Sequence, residues 1–271
     1  MAGTDFERIT SARKLSATAF TIHKQLGYIT LQRKLQNDEA LAVAFEYTYN
    51  GRVYKVGELT EDYSSLADRE VIFLKLLRPR KINIKDRAGK IIPTWDLMMK
   101  NVYYLKTKDG SILTSIQPGD FKLNVLYEQP SLGQKRYLPE GDKQGVPLIT
   151  LLNLDRLNSR NDPLPDGVFD YLEGYTILSQ QARIVFPVLE PFGRDLEEIA
   201  FNTSTREIKD KYLYYQLYDT IKEIAKTYAN LDRYIISGSA KGQSSSEISL
   251  GAFNVPPGSV TIRAEIGRAH V

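Results

Sequence analysis

Apolar and polar residues alternate with period two along much of the chain, the pattern of strands that bury one face. From Leu41 to Asn50 the odd positions read Leu41, Val43, Phe45, Tyr47 and Tyr49. The even positions read Ala42, Ala44, Glu46, Thr48 and Asn50. The run ends at Asn50-Gly51, a pair that favours a type I′ turn because both central residues need positive φ. Folding there pairs Tyr49 with Arg52, Tyr47 with Tyr54 and Phe45 with Val56, and sets Glu46 opposite Lys55 on the other face. Apolar partners then share one face and opposite charges the other, which fixes the register.

The same reasoning predicts a second hairpin around Asp109-Gly110, joining Val102–Thr107 to Ile112–Ser115. Phe121–Tyr127 alternates again, and Arg183–Leu189 and Ser259–Arg263 read as further strands. Ile22 precedes Ile29 by the same seven-residue step that separates Ile177 from Ile184, and a Thr stands before the first Ile of each pair. Each pair predicts a short strand, a turn and a second strand. Helix is the minority. Leu213, Leu217, Ile221, Ile224 and Tyr228 form a stripe of i+3/i+4 spacing that predicts one amphipathic helix over 211–229, lying on a sheet. Thr94 is placed to cap a short helix through Met99, and Pro147 to open another through Leu154. Pro130–Gly145 and Ser237–Ser246 read as turn-rich loops. The expected fold class is mainly β, built of antiparallel hairpins with one helix near 211–229. The expected regions are 1–60 (hairpin), 61–146 (strands and the short helix at 94–99), 147–200 (an Asp/Asn/Pro-rich insertion and strands) and 201–264 (helix, then strands).

Composition narrows the function. The 271 residues carry 36 Lys+Arg against 33 Asp+Glu, a net charge of +3, and this near-balance argues against a dedicated nucleic-acid binder. Cysteine is absent, which removes thiol catalysis, disulfide frameworks and cysteine–metal sites. The only histidines are His23 and His270, too few for a His-based metal site. Tyrosine outnumbers phenylalanine, 17 to 10, as expected where one edge of a ring is dry and the other wet. No apolar run approaches the ~20 residues of a membrane helix. Residues 1–7 show no signal-peptide pattern. Ile266–Val271 back-translates as ATC GGA AGA GCA CAC GTC, which resembles the opening of a common sequencing adapter, and a GAG codon for Glu265 supplies its preceding AG. Residues 265–271 are therefore expected to be an adapter-encoded tail, with the natural protein continuing past Arg263.

The Walker, dinucleotide, zincin and lipase motifs are missing. Gly238-Ser239-Ala240-Lys241-Gly242 lacks phosphate-loop spacing and reads as a surface loop. The densest polar cluster runs from Asn158 to Glu173. With Asp162 as the first position of a twelve-residue calcium loop, Asp166 falls fifth, Gly167 sixth, Asp170 ninth and Glu173 twelfth. Asp162, Asp166, Asp170 and Glu173 are thus candidate calcium ligands. Leu164 at the third position and prolines at the second and fourth favour the other reading, a proline-stiffened turn whose Asp and Asn side chains bond their own backbone. Acids such as Glu190, Asp195 and Glu197 could be paired for glycoside hydrolysis, but among 33 acids such pairs carry no information, and no enzyme activity is expected. Trp95 reads as a packing residue and His23 as a surface residue in a turn.

Several strings resemble the SprA/Sov family. They are Leu41-Ala42-Val43-Ala44-Phe45-Glu46-Tyr47-Thr48 with Val53-Tyr54-Lys55-Val56-Gly57-Glu58, Pro93-Thr94-Trp95-Asp96-Leu97-Met98-Met99-Lys100-Asn101-Val102-Tyr103 and Tyr137-Leu138-Pro139-Glu140-Gly141. Leu154–Asn158 with Asn161–Pro163, Pro165–Asp170 and Glu173–Thr176 is a further match. Val188–Gly193, Ser246–Leu250 and Phe253–Pro256 complete the series. The likeness spans nearly the whole chain in order, and is weakest over Arg194–Lys211.

The resemblance implies a piece, from the amino-terminal part, of a giant outer-membrane β-barrel with extramembrane insertions: the translocon of the type IX secretion system of gliding and related Gram-negative bacteria. The implied role is a passive conduit and gate at the outer membrane and cell surface, without chemistry of its own. The implied partners are exported folded cargo including gliding-motility adhesins, a shuttle barrel at the lateral opening and a periplasmic plug. A barrel satisfies every backbone polar group in lipid without leaving an edge. The rival reading is a soluble secreted β-sandwich module that binds a glycan or protein at the cell surface.

Overall fold

Asn50 and Gly51 both take positive φ, 48° and 74°, and the turn they make joins strands β4 (Phe45–Tyr49) and β5 (Arg52–Val56) in the register expected of the sequence. The computed structural model describes residues 6–24, 26–58, 71–106, 113 and 116–240, and the backbone of 264–270. Within these residues the chain is a set of small antiparallel sheets with a few short helices. It divides into two units, Met1–Met99 and Lys100–Val271, so the boundary falls inside the region 61–146.

The first unit is built of two-stranded sheets. β1 (Phe20–His23) pairs with β2 (Tyr28–Leu31), and Ile22 lies opposite Ile29. β3 (Leu41–Val43) pairs with β6 (Lys75–Arg78). Only Ala44 separates β3 from β4. Gly57, at φ +72°, lies against Val43 and Ala44, and the Glu58 amide donates to the Phe73 carbonyl at 2.8 Å. The end of β5 and the approach to β6 are thereby tied together. On β4–β5 the Tyr47 and Tyr54 rings stack at 5.1 Å, and Lys55 pairs with Glu46 on the opposite face at 2.9 Å. A tight turn at Asp86–Gly89 leads to α1 (Pro93–Asp96), which buries Trp95. This helix stops short of Met99 and is preceded by Ile92 rather than capped by Thr94. Among the described residues of this unit the buried apolar side chains are Tyr28, Ile92 and Trp95. The aromatic face of β4–β5 remains exposed.

The second unit closes a real core. β8 (Lys122–Gln129) buries Leu123, Val125 and Tyr127 as its alternation demands. It pairs with β9 (Gly133–Lys135) on one side and β12 (Tyr234–Ala240) on the other. Ser237–Ala240 is therefore strand and not loop; a Cβ on Gly238 would lie 2.0 Å from the Lys122 carbonyl oxygen, so only glycine permits this approach. β12 also pairs with β13 (Ala264–His270), which contains most of the segment expected to be an adapter-encoded tail. β7 (Val102–Tyr104) pairs with β11 (Arg183–Val185), which turns back from β10 (Ile177–Leu178) with Ile177 opposite Ile184. The seven-residue step thus marks a paired register in both units. β11 ends at Val185, short of the expected Leu189. The turn at Asp109-Gly110, the strand at 259–263 and the strings at 246–256 lie outside the described residues.

The single helix expected over 211–229 is replaced by three short ones: α4 (Arg206–Tyr212), α5 (Gln216–Asp219) and α6 (Lys222–Ala225). Tyr212, Leu213 and Tyr214 are all buried. Successive helical residues point about 100° apart, so one helix on a sheet cannot bury three in a row, and the chain extends at Leu213 instead. Ile221, Ile224 and Tyr228, the end of the predicted stripe, are exposed. The tyrosines are the other correction to the picture of half-wet rings. Tyr127, Tyr212, Tyr214, Tyr218 and Tyr234 are among the largest fully buried side chains. Three of these hydroxyls find backbone partners: Tyr214 donates to the Ala225 carbonyl at 2.5 Å and Tyr234 to the Tyr212 carbonyl at 2.8 Å. The Phe192 amide donates to Tyr218 at 2.9 Å. Desolvation pushes the Tyr218 and Tyr234 hydroxyls well above their ordinary value, so both stay neutral.

Candidate functional site

The polar loop 156–169 is held at its neck by two carboxylates that cap each other's strand of the loop. α2 (Leu148–Leu151) follows Pro147 and stops where Asn153 adopts φ +58°, so it does not reach Leu154. The stop brings Asp155 beneath the loop, almost wholly buried. Its Oδ1 accepts from the Asp166 amide at 2.9 Å, and its Oδ2 from the Gly167 amide at 3.0 Å and the Thr150 hydroxyl at 2.7 Å. From the far side, Asp170 Oδ2 accepts from the amides of Arg156 and Leu157 at 2.6 and 3.0 Å. The Asp170 amide donates to the Leu154 carbonyl. Phe169 is buried against Phe121, with ring centroids 5.5 Å apart.

Each candidate calcium ligand is engaged separately. Asp166 Oδ1 accepts from the Val168 amide at 3.0 Å, where Gly167 turns with φ +82°. Asp162 Oδ2 receives one contact from the Asn158 amide group at 3.2 Å. Asn158 Oδ1 in turn accepts from the amides of Arg160 and Asp162. Glu173 accepts from the Ser179 amide at 3.1 and 3.2 Å, beyond Thr176 and the start of β10. Among the described residues no group of three or more Asp, Glu or His side chains is placed to hold a metal ion. The arrangement is that of the proline-stiffened turn, in which short polar side chains bond local backbone. Beside its exposed polar residues Arg160, Asn161, Asp162 and Asp166, the loop holds two apolar side chains out to solvent, Leu164 and Val168, about three-fifths exposed at 62% and 60%.

The acids weighed for hydrolysis are also engaged. Arg194 donates to both oxygens of Glu190 and, through Nη2, to both oxygens of Asp219. Asp195 caps the Glu190 amide at 2.6 Å. Glu197 accepts from Tyr215 at 2.6 Å and from Lys209 at 2.9 Å, and these donors hold its carboxyl below the usual range. The cluster ties α3 (Arg194–Ala200) to α4 and α5 through charge-assisted bonds. Trp95 packs in the first unit as expected. His23 sits at the end of β1 and stacks on Tyr28 at 4.2 Å.

Sequence reasoning missed Asp155 and Arg194. Asp155 stands outside the twelve-residue calcium frame, and its partners lie 11 and 12 residues away. The available signal was its place directly after an apolar run, where a lone acid needs buried donors. The chain matches no protein-family model and no curated protein.

Proposed function

We propose that this chain is a piece of the outer-membrane translocon of a type IX secretion system, a passive conduit and gate for the export of folded cargo. The observation that carries the reading is the ordered series of SprA/Sov-like strings from Leu41 to Pro256. The two faces of the β4–β5 hairpin lend physical support. Phe45, Tyr47 and Tyr54 form an apolar face that stays exposed, and the Glu46–Lys55 pair occupies the other, the alternation a barrel wall requires. The second unit, with its own closed core, would be an extramembrane insertion. That same core is what favours the rival reading, a secreted module that binds a glycan or protein.

The test is to extend the reading frame in the source genome and to fractionate the cells with an antibody against residues 116–240. The proposal expects many hundreds of further codons and antigen in the outer-membrane fraction. A short frame whose product is recovered soluble in the medium overturns it in favour of the secreted module.

A further inference from the structure

Between Lys75 and Lys90 the chain carries seven cations against the single acid Asp86, a net of +6 in a protein whose total is +3. The acid bonds local backbone: its Oδ1 accepts from the amides of Ala88 and Lys90 at 2.8 and 2.9 Å. Two cations are engaged within the unit. Arg78 donates to the carbonyls of Gln36 and Glu39, and Arg80 pairs with Glu7. The remaining five, Lys75, Lys81, Lys85, Arg87 and Lys90, are exposed.

The backbone holds the last three in place. Lys85 bridges to Ile91, Asp86 and Lys90 close a turn at 2.8 Å, and the Ile92 amide donates to Ile84. Lys85, Arg87 and Lys90 therefore flank one tight turn rather than a free chain. Exposed apolar side chains accompany them: Val71, Phe73 and Leu74 just before, and Ile82 between Lys81 and Lys85.

We propose that this segment, residues 71–90, docks the first unit on an anionic, phosphate-bearing lipid surface. Its charge complements such a surface, where each Lys or Arg near the headgroups contributes on the order of 1 kcal/mol. Its apolar side chains favour lipid over nucleic acid. Phe73 alone offers a π-face on which a base could stack, whereas Val71, Leu74 and Ile82, three of the four exposed apolar side chains, gain nothing from bases and insert readily among acyl chains beside a basic segment. The inference stands apart from the translocon reading, because it requires an anionic headgroup layer and no barrel.

The test is co-flotation of the full chain with vesicles of phosphatidylcholine alone and of phosphatidylcholine containing phosphatidylglycerol. Binding is expected only to the anionic vesicles and is expected to fall as salt shortens the screening length. Neutralising Lys81→Gln, Lys85→Gln, Arg87→Gln and Lys90→Gln together should weaken partitioning by roughly 10²- to 10³-fold. The same charge change made in the second unit (Lys143→Gln, Arg160→Gln, Lys222→Gln and Lys226→Gln) should leave it within a few-fold. Far-UV circular dichroism checks that both variants fold. If the first variant does not fold, Ile82→Ser in the parent takes its place, and weaker flotation at unchanged charge is expected. The proposal is overturned by equal binding to neutral and anionic vesicles, by equal loss in the two variants, by salt-independent flotation, or by duplex DNA or polyglutamate displacing the vesicles at matched charge.

Discussion

Replacing Asp155 by Asn isolates what the buried carboxylate does at the neck of the polar loop. The carboxylate receives three donors, from Asp166, Gly167 and Thr150, divided between its two oxygens. An amide keeps one oxygen. Whichever way it is turned, its NH2 group faces at least one backbone N–H, donor against donor. A hydrogen bond to a charged acceptor contributes about 1.5–3 kcal/mol, and a stranded partner adds desolvation cost. The substitution should therefore destabilise the second unit by about 3 kcal/mol, taking one lost bond and one stranded donor. For a unit of Lys100–Val271 this corresponds to a fall in Tm of roughly 6–12 °C. The assay is urea denaturation of the full chain, with hydrogen exchange followed at the amides of Asp166 and Gly167. Both amides should lose protection before the core opens. Asp162→Asn is the control: that residue makes one 3.2 Å contact at the surface and should cost less than about 0.5 kcal/mol. Equal stability and unchanged exchange for Asp155→Asn would refute the account of the neck.

Three further outcomes follow from other parts of the molecule. Gly238→Ala places a Cβ 2.0 Å from the Lys122 carbonyl oxygen, so it should separate β8 from β12 at a cost of about 3 kcal/mol or more; a denaturation midpoint equal to the parent's would contradict this. Glu197, whose carboxyl is held below its ordinary value near 4.5 by Tyr215 first and then Lys209, contributes stability that is fully present above that value and is lost as pH falls through the depressed one. Glu197→Gln should flatten the acid limb of a stability–pH curve below about pH 4.5, and parallel curves for variant and parent would exclude the linkage. Because each acid of the 162–173 series is engaged on its own, calcium should leave the Tm unchanged against a chelator. A calcium-dependent rise that disappears in Asp162→Asn with Asp166→Asn would favour the calcium reading over the turn.

How much of this was legible in the sequence depended on the range of the forces involved. The β4–β5 register could be read because turn chemistry at Asn50-Gly51 and alternating side chains act over a few residues. The step from Ile22 to Ile29 and from Ile177 to Ile184 was readable for the same reason. The pairing of β7 with β11 was not, since Tyr103 and Ile184 meet across a long stretch of chain. The helix over 211–229 misled because its stripe was real in spacing, while tertiary burial of Tyr212, Leu213 and Tyr214 overrode it. In the polar loop the residue types correctly suggested backbone bonding. The acid that governs the neck, Asp155, lay outside the motif that drew attention.

The junction at Glu58 and Phe73 has a practical consequence. The Glu58 amide bonds the Phe73 carbonyl, and the Phe73 amide bonds Glu58 Oε2, both at 2.8 Å. β5 and β6 are each pinned to their own partner strand on either side of that clasp. Each register therefore stands without the clasp, and the clasp sets only how the two strand pairs are joined. Removing the carboxylate by Glu58→Ala takes away one of the clasp's two bonds and leaves the Asn50-Gly51 hairpin and the β3–β6 pair to form as before.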